Sequence, residues 1–175
     1  MLHDGTVPEP VFLESAAAEI EAHVGDSGWD HAPVLFALVR AGQFAVDEPD
    51  TAARLGLGED AGDALTPIEQ DGLPDGPLDE ALAQIGWPGS VAGCALCQEI
   101  VMLPPAAQDE VADDPAAAAS HPLRCEARLV VAVLRGGTSA AVLRLRGADG
   151  AADDELLTGP DLAPNLVAAL LATLE

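Results

Sequence analysis

The residues with the strongest claim to chemistry are Cys94 and Cys97, which form a C-x-x-C in the run Val91–Leu103. That spacing serves thiol–disulfide exchange at a helix N-terminus, where the dipole lowers a thiol pKa. Here it lies in an apolar run that ends at Pro104-Pro105 and reads as a strand. Residues three apart on a strand face opposite sides, so the two sulfurs diverge and neither pair nor share a metal. No second C-x-x-C and no H-x₃-H accompanies them, which leaves zinc unsupported. The expectation is two buried core cysteines; with Cys125 the count is odd, against a disulfide framework.

Histidine beside a carboxylate is the next candidate, because such a pair does general-base work. Trp29-Asp30-His31 supplies one, and His121-Pro122 brings a second mid-chain histidine. A pocket built from Trp29, His31, Trp87 and His121 would hold a small molecule with a histidine for proton transfer. No G-x-S-x-G accompanies these residues, so no catalytic residue is assigned. His3 and His23 lie in no H-E-x-x-H, and no metal ligand set is expected. Gly56, Gly58 and Gly62 imitate a phosphate loop, but the third glycine comes one residue late and Glu59, Asp60 and Asp63 repel phosphate. The runs Asp47-Glu48-Pro49-Asp50 and Asp153-Asp154-Glu155 lack the ligand spacing and turn glycine of a calcium loop. No cofactor is expected.

The arginines are unevenly placed. Arg124, Arg128, Arg135, Arg144 and Arg146 are five of the seven basic residues, and all fall in one expected hairpin. Taking Gly136-Gly137 as a two-residue loop sets Arg144 opposite Leu129 and Arg146 opposite Ala127. Those two then share a face with Arg135, while Val130, Ala132, Leu134, Leu143 and Leu145 form the core face. The strip Arg135, Arg144 and Arg146 reads as a docking face for an acidic peptide or anion, or as charge paired internally with the many carboxylates.

The elements around these residues follow from periodicity. Residues 1–9 read as a flexible arm and 10–175 as one domain. Phe12, Leu13, Ala16, Ala17, Ile20 and Val24 make one helix face ending at Gly25, with Glu14, Glu19 and Glu21 on the surface side. Residues 33–40 read as a strand covered on both faces. Residues 41–55 read as helix interrupted near Glu48 by Pro49. Residues 65–70 read as an edge strand carrying Pro67. A helix from Pro77 with Leu78, Leu82 and Ile85 leads to the 91–103 strand, and strands 124–135 and 138–146 follow. Residues 147–155 read as an acidic loop, and a helix with Leu162, Leu166, Leu170 and Leu174 closes the chain. The expected class is α+β: a single domain with an antiparallel sheet of about five strands and helices packed on it.

Composition narrows the function classes. Thirty Asp+Glu against seven Lys+Arg give a net charge of -23 over 175 residues, with 49% hydrophobic residues. That hydrophobicity argues for a folded chain, and the charge disfavours nucleic-acid and anionic-membrane binding, so neither is expected. No apolar run approaches the ~18 residues of a membrane span, and MLHDGTVPEP lacks the regions of a signal peptide. The expected setting is cytoplasmic. All seven basic residues are Arg, Tyr is absent and Asn165 is the lone Asn, as GC-rich coding produces.

Trp87-Pro88, Gly93-Cys94-Ala95-Leu96, Glu99 and Leu103-Pro104-Pro105 resemble the pattern of a family of small acidic actinobacterial proteins. His121-Pro122-Leu123-Arg124, Leu143-Arg144-Leu145-Arg146 and Gly159-Pro160-Asp161-Leu162 extend the resemblance over most of residues 10–174. The family has no established activity, so the resemblance implies no catalytic residues. Cys97 and Cys125 stand outside its pattern. The functional expectation is a non-catalytic interaction or chaperone-like module that docks an acidic or extended segment of a protein partner, with a small-molecule binding protein or enzyme as the alternative.

Overall fold

In the computed structural model the described residues are 9–56, 65–70, 73, 74, 76–102, 114, 116, 117, 124–146, 152–159 and 162–175. Six strands, β1 (Val34–Arg40), β2 (Leu65–Glu69), β3 (Gly93–Met102), β4 (Cys125–Leu134), β5 (Ser139–Arg146) and β6 (Ala152–Thr158), form one sheet. Their order is β2-β1-β3-β4-β5-β6, and every neighbouring pair is antiparallel. The helices among the described residues are α1 (Glu9–Gly25), α2 (Ala41–Asp47), α3 (Pro49–Leu55), α4 (Leu78–Ala83) and α5 (Pro164–Thr173). The class is α+β in a single domain, with six strands where the sequence suggested about five.

The sheet is covered on both faces, and the period-2 alternation of its strands decides what each face holds. On one side α1 lays Leu13, Ala16, Ala17 and Ile20 against Phe36, Leu38, Ala95, Cys97, Val130, Ala132 and Val142. On the other side α4 and α5 pack on Leu35, Cys94, Leu96, Leu129, Val131 and Leu143. The α2–α3 pair covers Ala37 and Val39 on that second side, beside Val91. The break near Glu48 is present: Pro49 opens α3 at a position where a missing N–H costs nothing. α1 begins at Glu9, one residue ahead of the expected start.

Two departures from the sequence reading have physical causes. The strand β6 occupies residues expected as loop; Ala152–Glu155 is poor in β-forming residues, and Leu156 and Leu157 alone give it an apolar pairing with Arg144 and Leu143. The hairpin between β4 and β5 turns through three residues, Arg135, Gly136 and Gly137. Gly137 N–H donates to Leu134 C=O, and Gly137 has φ 99°. Arg144 therefore stands opposite Arg128 and Leu145 opposite Ala127, one residue away from the expected register. A one-residue slip moves every side chain of a strand to the other face. Arg128, Arg144 and Arg146 thus share the α1 side with Val130, Ala132 and Leu134, while Leu143 and Leu145 face α5.

Candidate functional site

The α1 stripe continues past its apolar residues. Leu13, Ala17 and Glu21 lie four apart, so Glu21 follows the buried face and is 2% exposed. It sits there because Arg128, also 2% exposed, reaches it from β4: Nη1 donates to Glu21 Oε1 at 2.9 Å. Arg144 Nε donates to the same oxygen at 2.8 Å from β5. Gly25, one turn after Glu21, leaves the room; a Cβ there would lie 2.9 Å from Arg128 Nη1.

This cluster fixes the loop after α1. Arg128 Nη2 donates to Gly28 C=O at 2.6 Å, and its guanidinium lies 4.3 Å from the Trp29 ring centroid. Arg146 approaches the same ring at 5.3 Å and donates to Asp30 Oδ1 at 3.0 Å and Glu126 Oε2 at 2.7 Å. The Asp30 hydrogen bond holds the Arg146 pKa above its ordinary value. From β3, Glu99 accepts the Asp30 and His31 N–H groups at 2.8 and 2.6 Å, which steadies Asp30 at φ 69°. His31 Nε2 bonds Ser27 C=O at 2.7 Å.

Arg135 and Trp87 belong to the other end of β4 and to the opposite face. Arg135 donates to Val91, Pro88 and Trp87 carbonyls and to Leu174 C=O at the end of α5, where a cation suits the helix dipole. Trp87 Nε1 donates to Thr173 Oγ1 at 3.0 Å, and Cys94 Sγ lies 3.5 Å from that hydroxyl. Cys94 faces α5 and Cys97 faces α1, as strand geometry requires. Burial pushes the Cys94 thiol up to about 11 and the Cys97 thiol up to about 12, so both stay protonated and inert near neutrality.

The expected site residues therefore separate. Arg144 and Arg146 join Trp29 and His31 on the α1 side, Arg135 joins Trp87 at the far end, and His121 lies outside the described residues. Neither of the two cavities described below is lined by Trp29 or Trp87. Glu21, expected on the surface side of α1, is buried, and it organises the α1 side with Arg128 and Glu99, neither of which was assigned to a site from the sequence; the four-residue spacing from Leu13 to Glu21 was the available signal. Every buried side-chain nitrogen and oxygen among the described residues has a hydrogen-bond partner. No group of three metal-ligating side chains occurs among them.

Open space lies instead beside β2. A cavity of about 450 Å³ runs between α1, the end of α3 and β2, over Ile20, Leu55 and Ile68 with Glu19, His23 and Glu69 at its rim. A second, of about 300 Å³, continues past His23 and Glu69 to His31 and Pro33. His23 Nε2 and Glu69 Oε2, 3.3 Å apart, stand between the two. The wall that carries His31 is the loop held by Arg128, Arg146 and Glu99, so the arginine cluster shapes this groove from behind. Gln70 N–H donates to Leu35 C=O. Antiparallel alternation then turns Ile68 and Thr66 toward β1 and leaves the main chain of Leu65, Pro67 and Glu69 facing outward. No strand lies beyond β2 among the described residues.

No described helix is long and apolar enough to cross a membrane. No curated protein and no solved structure matches the chain. One family model does, over residues 13–175, and the chain belongs to the family it describes, PPA1309-like protein.

Proposed function

We propose that this chain is a non-catalytic, cytoplasmic interaction module of actinobacteria that receives an extended segment of a protein partner along the outer edge of β2. The observation that carries the reading is the coincidence of an edge strand with a groove. The outward main chain of Leu65, Pro67 and Glu69 runs beside the cavity over Ile20, Leu55 and Ile68. Strand addition uses both: main-chain hydrogen bonds give affinity, and alternate side chains enter the pockets. Pro67 occupies an outward position and has no N–H to offer, which limits indiscriminate edge pairing. Cys94, Cys97 and Trp87 serve the core, and Arg128 and Arg146 hold the loop behind the groove.

The test separates backbone from charge at one residue. Glu69→Pro deletes an outward N–H without touching the bonds to β1, and Glu69→Gln keeps that N–H. Wild type, Glu69→Pro and Glu69→Gln are used to capture partners from an actinobacterial lysate, and the retained chain is purified and titrated against all three. Direct binding that Glu69→Pro weakens about tenfold or more, for a main-chain hydrogen bond and the fit around it, supports the reading. Equal binding by wild type and Glu69→Pro refutes it. Ligand-dependent stabilisation by a metabolite panel, with no protein retained, favours the small-molecule alternative.

A further inference from the structure

The sign of the charge on that partner segment follows from where this chain's own charges are spent. Arg128, Arg135, Arg144 and Arg146 all direct their guanidinium groups to acceptors within the protein: Glu21, Gly28, Asp30, Glu126 and the carbonyls around Trp87 and Leu174. These four hairpin arginines are thus paired within the protein. The groove beside β2 has the opposite character. Glu19 on α1 and Glu69 on β2 stand at its rim, and both residues are exposed. The edge itself is rich in acceptors: Leu65, Pro67 and Glu69 each turn a carbonyl outward, while Pro67 supplies no N–H. The chain as a whole carries -23, a field that draws cations toward such a rim.

The two faces of β2 divide the demands on an added strand. Leu65 lies on the α1 side, and Glu69 meets His23 of α1 there. Ile68 lies on the other side, with the α2–α3 cluster, and Leu55 at the end of α3 is 46% exposed in the groove. A strand paired to β2 would point alternate side chains to these two environments. On the basis of the docking reading above, we infer that the partner segment alternates arginine or lysine, placed between Glu19 and Glu69, with apolar side chains placed on Leu55 and Ile68.

The experiment uses the full chain and three labelled ten-residue peptides that alternate valine with arginine, with glutamine or with glutamate. Binding is followed by fluorescence anisotropy and mapped by amide chemical shifts, with wild type, Glu19→Gln/Glu69→Gln and Glu69→Pro. The expected order is arginine over glutamine over glutamate, with shifts at residues 19–23 and 65–69. The double glutamine variant should reduce the arginine-over-glutamine preference about fivefold, the scale of two exposed ion pairs. An arginine preference that survives that variant reports the general field of the protein and overturns the inference. Equal binding of the arginine and glutamine peptides, both lost in Glu69→Pro, overturns the inference while the docking reading stands. Binding that leaves residues 65–69 unshifted, or no binding of any peptide, overturns both.

Discussion

Arg128 and Arg144 stand directly opposite each other on β4 and β5, and both donate to a single oxygen, Oε1 of Glu21. Two like charges at facing positions of a sheet repel, so the pair exists only because a carboxylate from α1 lies between them. Glu21 thereby ties the helix to the two strands, and Arg128 carries the tie onward to Gly28 and Trp29.

Removing that carboxylate leaves a buried guanidinium without its counter-ion. Glu21→Gln should lower stability by about 3–5 kcal/mol, the cost of breaking a buried pair from one side. Arg144→Ala should cost distinctly less, because Arg144 is only partly buried and Arg128 still satisfies Glu21. Midpoints of urea unfolding for the two variants check the ranking.

Charge reversal at Arg144 and Arg146 should act on the fold before it acts on any partner. Arg144→Glu with Arg146→Glu sets new carboxylates against Glu21, Asp30 and Glu126. The melting temperature should fall, and the Trp29 fluorescence should shift toward that of exposed indole as the 26–33 loop releases. An unchanged melting curve and spectrum would mean that these arginines do not hold the loop.

Gly93 is required by space rather than by backbone angle. A Cβ there would overlap Val133 C=O and lie 2.8 Å from Leu134 Cδ2, at the start of the β3–β4 ladder. Gly93→Ala should cost about 3 kcal/mol or more, since overpacking here displaces backbone. Gly136→Ala in the hairpin loop, where a Cβ meets nothing within 4 Å, should stay within about 0.5 kcal/mol. Thermal or urea unfolding of the two variants side by side decides this.

The two buried thiols give the protein an unusually clean alkaline signature. The sequence has no Lys and no Tyr, so between pH 9 and the arginine range its side-chain titration is that of cysteine alone. Burial raises Cys94 from 9.0 to about 11 and Cys97 from 9.0 to about 12. The folded state therefore keeps protons that the unfolded state releases, and the stability this gives is complete below pH 9 and lost as pH rises toward 11–12. The loss should be on the order of 5 kcal/mol for the two thiols together by pH 11. Unfolding midpoints from pH 8 to 11 measure it, and Cys94→Ala/Cys97→Ala should flatten the slope.

Much of this architecture was legible in the chain because local pattern and burial agree there. The continuous apolar run of β1 announced a strand covered on both faces. Pro67 marked β2 as an edge, and the period of two told that Cys94 and Cys97 point apart. What stayed hidden depended on a single backbone choice or on partners distant in sequence. Gly136-Gly137 looks like a two-residue turn; including Arg135 in the loop shifts the register by one and carries the arginines from an open face to the α1 side. Glu21 resembles any surface glutamate until Arg128, 107 residues later, gives it a reason to be buried. Glu99 and the Trp29 loop meet across 69 residues through main-chain N–H groups that no side-chain pattern records. The strand β6 was missed because its sequence is acidic and its pairing with β5 comes from two leucines.

The most direct test of the account is amide hydrogen exchange of β2, residue by residue, in the free chain and with the purified partner or the valine–arginine peptide bound. In the free chain Ile68, bonded to β1, should exchange more slowly than Glu69, whose N–H faces outward. Binding should slow Glu69 markedly and leave Ile68 nearly unchanged, because only the outward edge gains a neighbour. Bound-state protection that appears on β6 or in the hairpin, with Glu69 unchanged, would contradict the assignment of β2 as the docking edge.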